Sequence, residues 1–190
     1  MPVVPTGIVG ALIPNLVASA MIGTGVPKYS RGVAEGLVRW IPKIKVNTID
    51  TGTVGAGTNV PLPLIVPTPL LYAALVTGHI AEGLRGVFMP ILASGLANGL
   101  TVAFFQMLIR TNHPSVGVGG GVARFSAPPA RSDMVAGFNA VGLNGPALSR
   151  GARAIARGLD TVFSSLVLPV VIVGPAAPAA SAGSGFGQII

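Results

Sequence analysis

The chain has no cysteine, which excludes a disulfide framework, a thiolate nucleophile and a zinc ribbon. Charge is nearly as scarce: only 9% of the 190 residues are Asp, Glu, Lys or Arg, against roughly 25% in an ordinary soluble domain. The acids are Glu35, Asp50, Glu82, Asp133 and Asp160. No two of them form a motif that suggests a general acid/base pair, and each reads as a cap or as a charge balancing a nearby arginine. The two histidines, His79 on an apolar helix and His113 before Pro114, have no second ligand at i+3 or i+4. Both read as ordinary hydrogen-bonded residues. The expectation is therefore no catalytic residue, no metal and no cofactor. Aromatic residues are 5% of the chain, with one Trp and two Tyr, too few for the stacking platforms of a single-strand binder. Met1 to Val26 holds no Lys or Arg, so the basic start of a secretory signal is missing and Met1 onward is expected to belong to the mature structure.

What is present is apolar. The hydrophobic fraction is 51% and the mean hydropathy +0.74. Such a surface cannot be covered with charge, so large apolar or neutral patches must meet a partner, protein or lipid. The net charge of +7 is scattered, with two local groups. Arg39, Lys43 and Lys45 surround Trp40, while Arg150, Arg153 and Arg157 lie at i, i+3 and i+7 along one helical stripe. The stripe reads first as a solvated face or a rim that pairs with acidic neighbours, and second as a wall facing nucleic acid.

A short block recurs about every sixty residues: Gly32-Val33-Ala34-Glu35-Gly36-Leu37, Gly95-Leu96-Ala97-Asn98-Gly99-Leu100 and Ala154-Ile155-Ala156-Arg157-Gly158-Leu159. Residues four apart share a helix face, so Gly32, Gly36, Gly95, Gly99, Ala154 and Gly158 are expected at close helix contacts. A glycine motif follows each block, at 54–57, 116–119 and 183–187. Gly83-Leu84-Arg85-Gly86 and Gly142-Leu143-Asn144-Gly145 each precede the Gly-Leu pair by sixteen residues, whereas the first copy shows no clear inner turn. These patterns predict an α+β chain of three imperfect repeats, 1–58, 59–125 and 126–190 with a C-terminal arm. In each, apolar helices lead to a Gly-rich strand or turn, with Pro-rich extended arms. The whole forms one compact or intertwined domain.

Within this plan, helices are expected at 7–21, kinked at Pro14, and at 31–41 behind a Ser30 cap and ahead of Pro42. Further helices are expected at 70–82, at 87–109 with a break near Pro90, from Ser132 or Asp133 to 141, and from Pro146 to 166. Strands are expected at 43–49, 116–125 and 168–173. Four prolines in 61–69 exclude a helix and a central strand there, Thr111-Asn112-His113-Pro114 reads as a turn, and 174–181 as an arm.

The run Gly117-Val118-Gly119-Gly120-Gly121 is not a phosphate loop, because Gly121-Val122-Ala123-Arg124 follows where Gly-Lys-Ser/Thr is needed. Residues 51–58 (Thr-Gly-Thr-Val-Gly-Ala-Gly-Thr), 116–122 (Val-Gly-Val-Gly-Gly-Gly-Val) and 173–178 (Val-Gly-Pro-Ala-Ala-Pro) give the chain a resemblance, in style, to structural proteins of tailed-bacteriophage virions. The tail, neck and baseplate components are the nearest in kind. That resemblance implies a non-enzymatic structural subunit in a virion, packed among copies of itself and other structural proteins; a position near nucleic acid rests instead on the stripe of Arg150, Arg153 and Arg157. The rival is a small integral membrane protein, a pore former, spanning the bilayer with Val87–Ile109, 23 residues without charge. Against it stand the charges on the equivalent helices: Arg31, Glu35 and Arg39 in the first repeat, and Arg150, Arg153, Arg157 and Asp160 in the third.

Overall fold

A computed structural model describes the backbone of residues 5–43, 45–51, 57–61, 68–105, 107–113, 118–125, 131–163, 168–173 and 183–189, with side chains at 5–43, 68–102 and 131–162. Six helices make up the latter: α1 (Pro5–Ala18), α2 (Gly25–Trp40), α3 (Thr68–Ala81), α4 (Phe88–Phe105), α5 (Arg131–Asn139) and α6 (Pro146–Phe163). They form three hairpins, α1/α2, α3/α4 and α5/α6, and the contacts between hairpins are at least as close as those within them. The second helix of each hairpin packs on the first helix of the next, α2 on α3 and α4 on α5, and α6 returns to α1. The helices thus close a ring of three repeated steps around one apolar cluster that includes Ile8, Leu12, Leu37, Trp40, Leu75, Leu96, Phe138 and Leu159.

This ring corrects the expected α+β class. The part of the molecule with described side chains is all-helical, six helices with no strand among them. The physical reason lies in the small-residue stripes. An amphipathic helix needs one partner layer, and here each helix finds it in two neighbouring helices. The strands pair only with one another. Backbone segments β1 (Lys45–Thr51), β2 (Gly57–Pro61), β3 (Met107–His113), β4 (Val118–Phe125), β5 (Leu168–Val173) and β6 (Gly183–Ile189) join antiparallel in chain order, and β6 closes on β1. Their registers include Asp50 opposite Asn59, Thr48 opposite Gly185, Ile109 opposite Ala123 and Ile172 opposite Gly187.

Several expected boundaries move. Helix α2 starts at Gly25, six residues before the expected 31, so Ser30 is a buried helical residue rather than a cap. Pro27 is tolerated because the first helical turn has no intrahelical acceptor for its missing N–H. Pro14 lies inside α1. Residues 111–113 belong to β3 instead of a turn. Val60 and Pro61 end β2, and Thr68 and Pro69 open α3, so only the middle of the proline-rich segment could be an arm; residues 62–67 lie outside the described residues, as do 174–182. The 23-residue apolar segment is not one helix, since α4 ends at Phe105 and β3 begins at Met107.

The inner turn missing from the first repeat is there in the backbone. Gly83 and Gly142 sit at φ 75° and 78°, and the position equivalent to both is Ala20 at φ 61°. In each copy the helix ends in the same Schellman pair. Ala20, Gly83 and Gly142 donate their N–H to the carbonyls of Val17, Ile80 and Asn139, while Met21, Leu84 and Leu143 donate to Leu16, His79 and Phe138. The first turn was hidden because alanine stands where the other copies carry glycine. A left-handed residue with a Cβ costs about 1–2 kcal/mol, partly offset by the lower unfolded-state entropy of alanine. Ala20→Gly is therefore expected to raise stability by roughly 0.5–1 kcal/mol in urea unfolding; a drop would mean that the turn is not held in this geometry.

Candidate functional site

The helix contacts are set by positions without a side chain. A Cβ placed on Gly32 would stand 2.9 Å from the Cα of His79, one on Gly36 2.8 Å from that of Leu75, and one on Gly99 2.9 Å from that of Met134. Gly95 faces Phe138 in the same way, and Gly158 faces Leu12, whose Cα lies 3.1 Å away. Ala154, one turn before Gly158, is fully buried. Gly32, Gly36, Gly95, Gly99 and Gly158 thus each stand against a helix of this same chain. Their partners include two glycines that the repeat motif did not single out. Gly78 opposes the Gly32 carbonyl and Gly137 the Gly95 carbonyl, each too close for a methyl group.

Backbone atoms cannot swing aside as a flexible side chain can. Gly78→Ala and Gly137→Ala are each expected to cost about 3 kcal/mol or more by overpacking, while Gly10→Ala, with nothing within 4 Å of its added carbon, should gain about 1 kcal/mol of helix propensity. Equal effects at the three sites in denaturant titrations would refute close contact as the cause.

The arginine stripe lies on the outer side of α6, with Arg150 and Arg157 exposed and Arg153 half-buried between them. Among the described residues no carboxylate pairs with any of the three; the ion pairs are Arg31–Glu82 at 2.5 Å, tying α2 to the end of α3, and Arg39–Glu35 at 3.5 Å. Both pairs include an exposed arginine and contribute little to stability.

The site with the most unusual chemistry is at the α2/α3 contact, where sequence reasoning saw only an ordinary histidine. Superposing the repeats sets His79 against Leu16 and Phe138, the residues whose carbonyls receive the Schellman bond. Each sits in a corner made with a residue of the packed helix and the residue just past the turn. In one copy the equivalent positions hold Gly151, Leu16 and Met21, with the Met21 sulfur 3.1 Å from where a Cβ on Gly151 would be; in another they hold Leu92, Phe138 and Leu143. In the third copy the corner is Tyr29, His79 and Leu84. The rings of Tyr29 and His79 are 5.1 Å apart and tilted by 36°.

Beside this pair opens a half-enclosed cavity of about 220 Å³, lined by Tyr29, His79, Leu84, Arg85, Phe88, Met89 and Leu92. His79 is 1% exposed. Its Nδ1 lies 2.7 Å from the carbonyl oxygen of Leu75, one turn back. A carbonyl only accepts, so Nδ1 carries the proton and Nε2 of the neutral ring presents a lone pair. Among the described residues nothing donates to it. Burial also holds the Tyr29 phenol well above its ordinary range, so it stays protonated.

Among the described residues no group of three or more His, Cys, Asp or Glu could hold a metal ion. No protein-family model matches the chain, and no curated protein or solved structure matches it.

Burial lowers the His79 pKa from its ordinary 6.5, and the bond to the Leu75 carbonyl opposes that shift in part. The unfolded chain therefore takes up a proton at this residue before the folded one does. The stability due to neutral His79 is complete above pH 6.5 and is lost as pH falls from there through the lowered folded value. The unfolding temperature should thus fall between about pH 7 and about pH 5, and His79→Leu, the residue of the first repeat, should flatten that part of the profile. An unchanged acid slope in the variant would place its origin elsewhere.

Proposed function

We propose that the chain is a non-enzymatic structural subunit of a large protein assembly, seated on a symmetry axis of that assembly. A virion tail, neck or baseplate is the setting that fits best. The observation that carries this reading is the cyclic closure of three sequence repeats within one chain, α6 returning to α1. Such a ring offers three similar faces to surrounding subunits, which is the requirement at a threefold axis or at the junction of a threefold and a sixfold part.

The hairpin turns support the same reading. Ile22, Val87 and Phe88 are 79%, 78% and 67% exposed, and Met21 is 40% exposed, all at the turn end of the first two hairpins. Turns that face only water favour Gly, Asn and Asp, as the third hairpin does with Asn144-Gly145. Large apolar residues at turn tips suit a surface covered by neighbouring chains.

The rival reading gains nothing from the helices: among the described residues none is long and apolar enough to cross a membrane. Expressed chain subjected to membrane flotation and alkaline washing should be released as a large particle, and in images of the parent particle it should occupy one position per axis. Detergent-dependent flotation with lipid, or many copies lining a lumen, would overturn the proposal.

A further inference from the structure

We propose that the outer face of α6 is a docking surface for an acidic helix of a neighbouring chain, whose carboxylates at i, i+4 and i+7 pair with Arg157, Arg153 and Arg150. The proposal rests on the assembly reading only for the existence of a neighbour. Its carrying observation is a comparison of the repeats: with the small-residue blocks aligned, Arg150, Arg153 and Arg157 correspond to Lys28, Arg31 and Glu35 of α2 and to Ile91, Ser94 and Asn98 of α4. The α2 face balances itself, Arg31 with Glu82 and Arg39 with Glu35. The α4 face has no charge to balance, so neither helix packing nor contact with water requires three cations at these positions. Like charges at i, i+3 and i, i+4 also oppose the helix that bears them. An opposing row of carboxylates reverses that cost.

The chain does not supply that row itself. Glu35 and Glu82 are engaged by Arg39 and Arg31, and among the described residues Asp133 and Asp160 form no ion pair with the three arginines. The remaining acid, Asp50, lies on β1 opposite Asn59 and Gly183, toward the end of the strand farther from the helices. A second copy is no better a source, since twelve Lys and Arg against five acids make copies repel. The occupant is a different chain.

The layout of the charge gives the occupant its shape. Rises of about 4.5 and about 6 Å separate the arginines along α6, and acids at i, i+4 and i+7 of an antiparallel helix repeat those rises in register. The charge is a line one helix wide. On one side α1 has no charged residue from Pro5 to Ala18, and on the other α5 carries Arg131 and Asp133, of opposite sign; a nucleic-acid duplex, which engages about six to ten phosphates, needs a broader field. There is also room for a helix. The Ala11 carbonyl of α1 faces Gly158, and Gly7, Pro14 and Ala18, on the same stripe as Ala11, are exposed and too small to hold a partner away. Arginine at all three places suits carboxylates, because the planar guanidinium can engage both oxygens at once.

The test titrates the full chain with two alanine–glutamine helical peptides of one composition, the first with three glutamates at i, i+4 and i+7, the second with them spread around the helix. Binding is followed at physiological salt by the arginine Nε–H resonances. The striped peptide is expected to move the signals of Arg150, Arg153 and Arg157 and to half-saturate them at about tenfold lower concentration than its isomer, the combined worth of three modest ion pairs. With all three changed Arg→Gln, the fold being checked by helical circular dichroism, the two peptides, followed by their own resonances, should bind within about twofold of each other. The Arg→Lys triple, which keeps the charge, should retain part of the preference. Equal binding of the isomers, a preference that survives in the glutamine variant, or a DNA duplex that moves the same three signals at lower concentration than the striped peptide would each overturn the proposal, the last by assigning the stripe to nucleic acid. These outcomes need no parent particle, so they are separate from the imaging test of the axial seat.

Discussion

The helical ring depends on backbones meeting where no side chain intervenes. At α2/α3 and α4/α5 glycine opposes glycine, and a single added carbon at Gly78 or Gly137 would enter the carbonyl of the facing helix. Dispersion between atoms falls off steeply with separation, so closeness of this kind turns weak contacts into a continuous one. It also fixes where bulk must go. With glycine on the contact stripe, the larger residues Val33, Leu37, Leu96, Leu100, Ile155 and Leu159 lie beside it and fill the shared core. Each helix then has two helical neighbours, and the only arrangement that leaves no helix with an open stripe is one in which the last helix meets the first.

The third seam is built differently from the other two. Ala154 replaces the first glycine of the block, and Asn15 stands where the others have Gly78 and Gly137. The Asn15 amide donates to the Ala11 carbonyl on its own helix at 2.8 Å, which satisfies the amide N–H without a partner across the seam. The α2/α3 seam departs in another way. Ser30, fully buried, and His79 bring polar atoms to positions that are Ala93 and Phe138, or Ala152 and Leu16, in the other copies. An apolar residue at either place would avoid a desolvation cost, so these substitutions cannot be ascribed to helix packing alone.

Much of this organisation was legible in the chain. The small-residue blocks identify the contact stripes because a four-residue spacing has one meaning on a helix, and the paired Gly-x-x-Gly turns mark two of the three hairpins. The first turn was not legible, because Ala20 occupies a left-handed position that a rule built on glycine passes over. The fold class is hidden for a different reason. Alternation and glycine motifs describe what a segment does locally, whereas the class depends on which faces share a core, and here helix faces are consumed by other helices. Ser30 was misplaced because a cap residue before an apolar run looks the same as a buried hydroxyl in the first half of a longer helix. His79 was read as ordinary from its own neighbours in sequence. Aligning the repeats sets it against Leu16 and Phe138, and only that comparison shows that a titratable ring has been placed in a corner designed for hydrocarbon.

Joining three copies in one chain has a physical consequence that three separate subunits could not match. In a homotrimer every corner would be identical, so a histidine placed in one would appear in all, and the cost of a buried unpaired acceptor would be incurred three times. Covalent linkage also replaces subunit association with an intramolecular step, so the ring can close without the translational entropy lost when free chains combine. That margin permits divergence. One corner can keep Tyr29 and His79 around an open cavity, another can close over Gly151 with Met21, and the α6 face can gather Arg150, Arg153 and Arg157 while α4 carries no charge at all. The ring retains its repeated contacts because the glycines that make them are few, and everything between those glycines is free to become specific to the neighbour it meets.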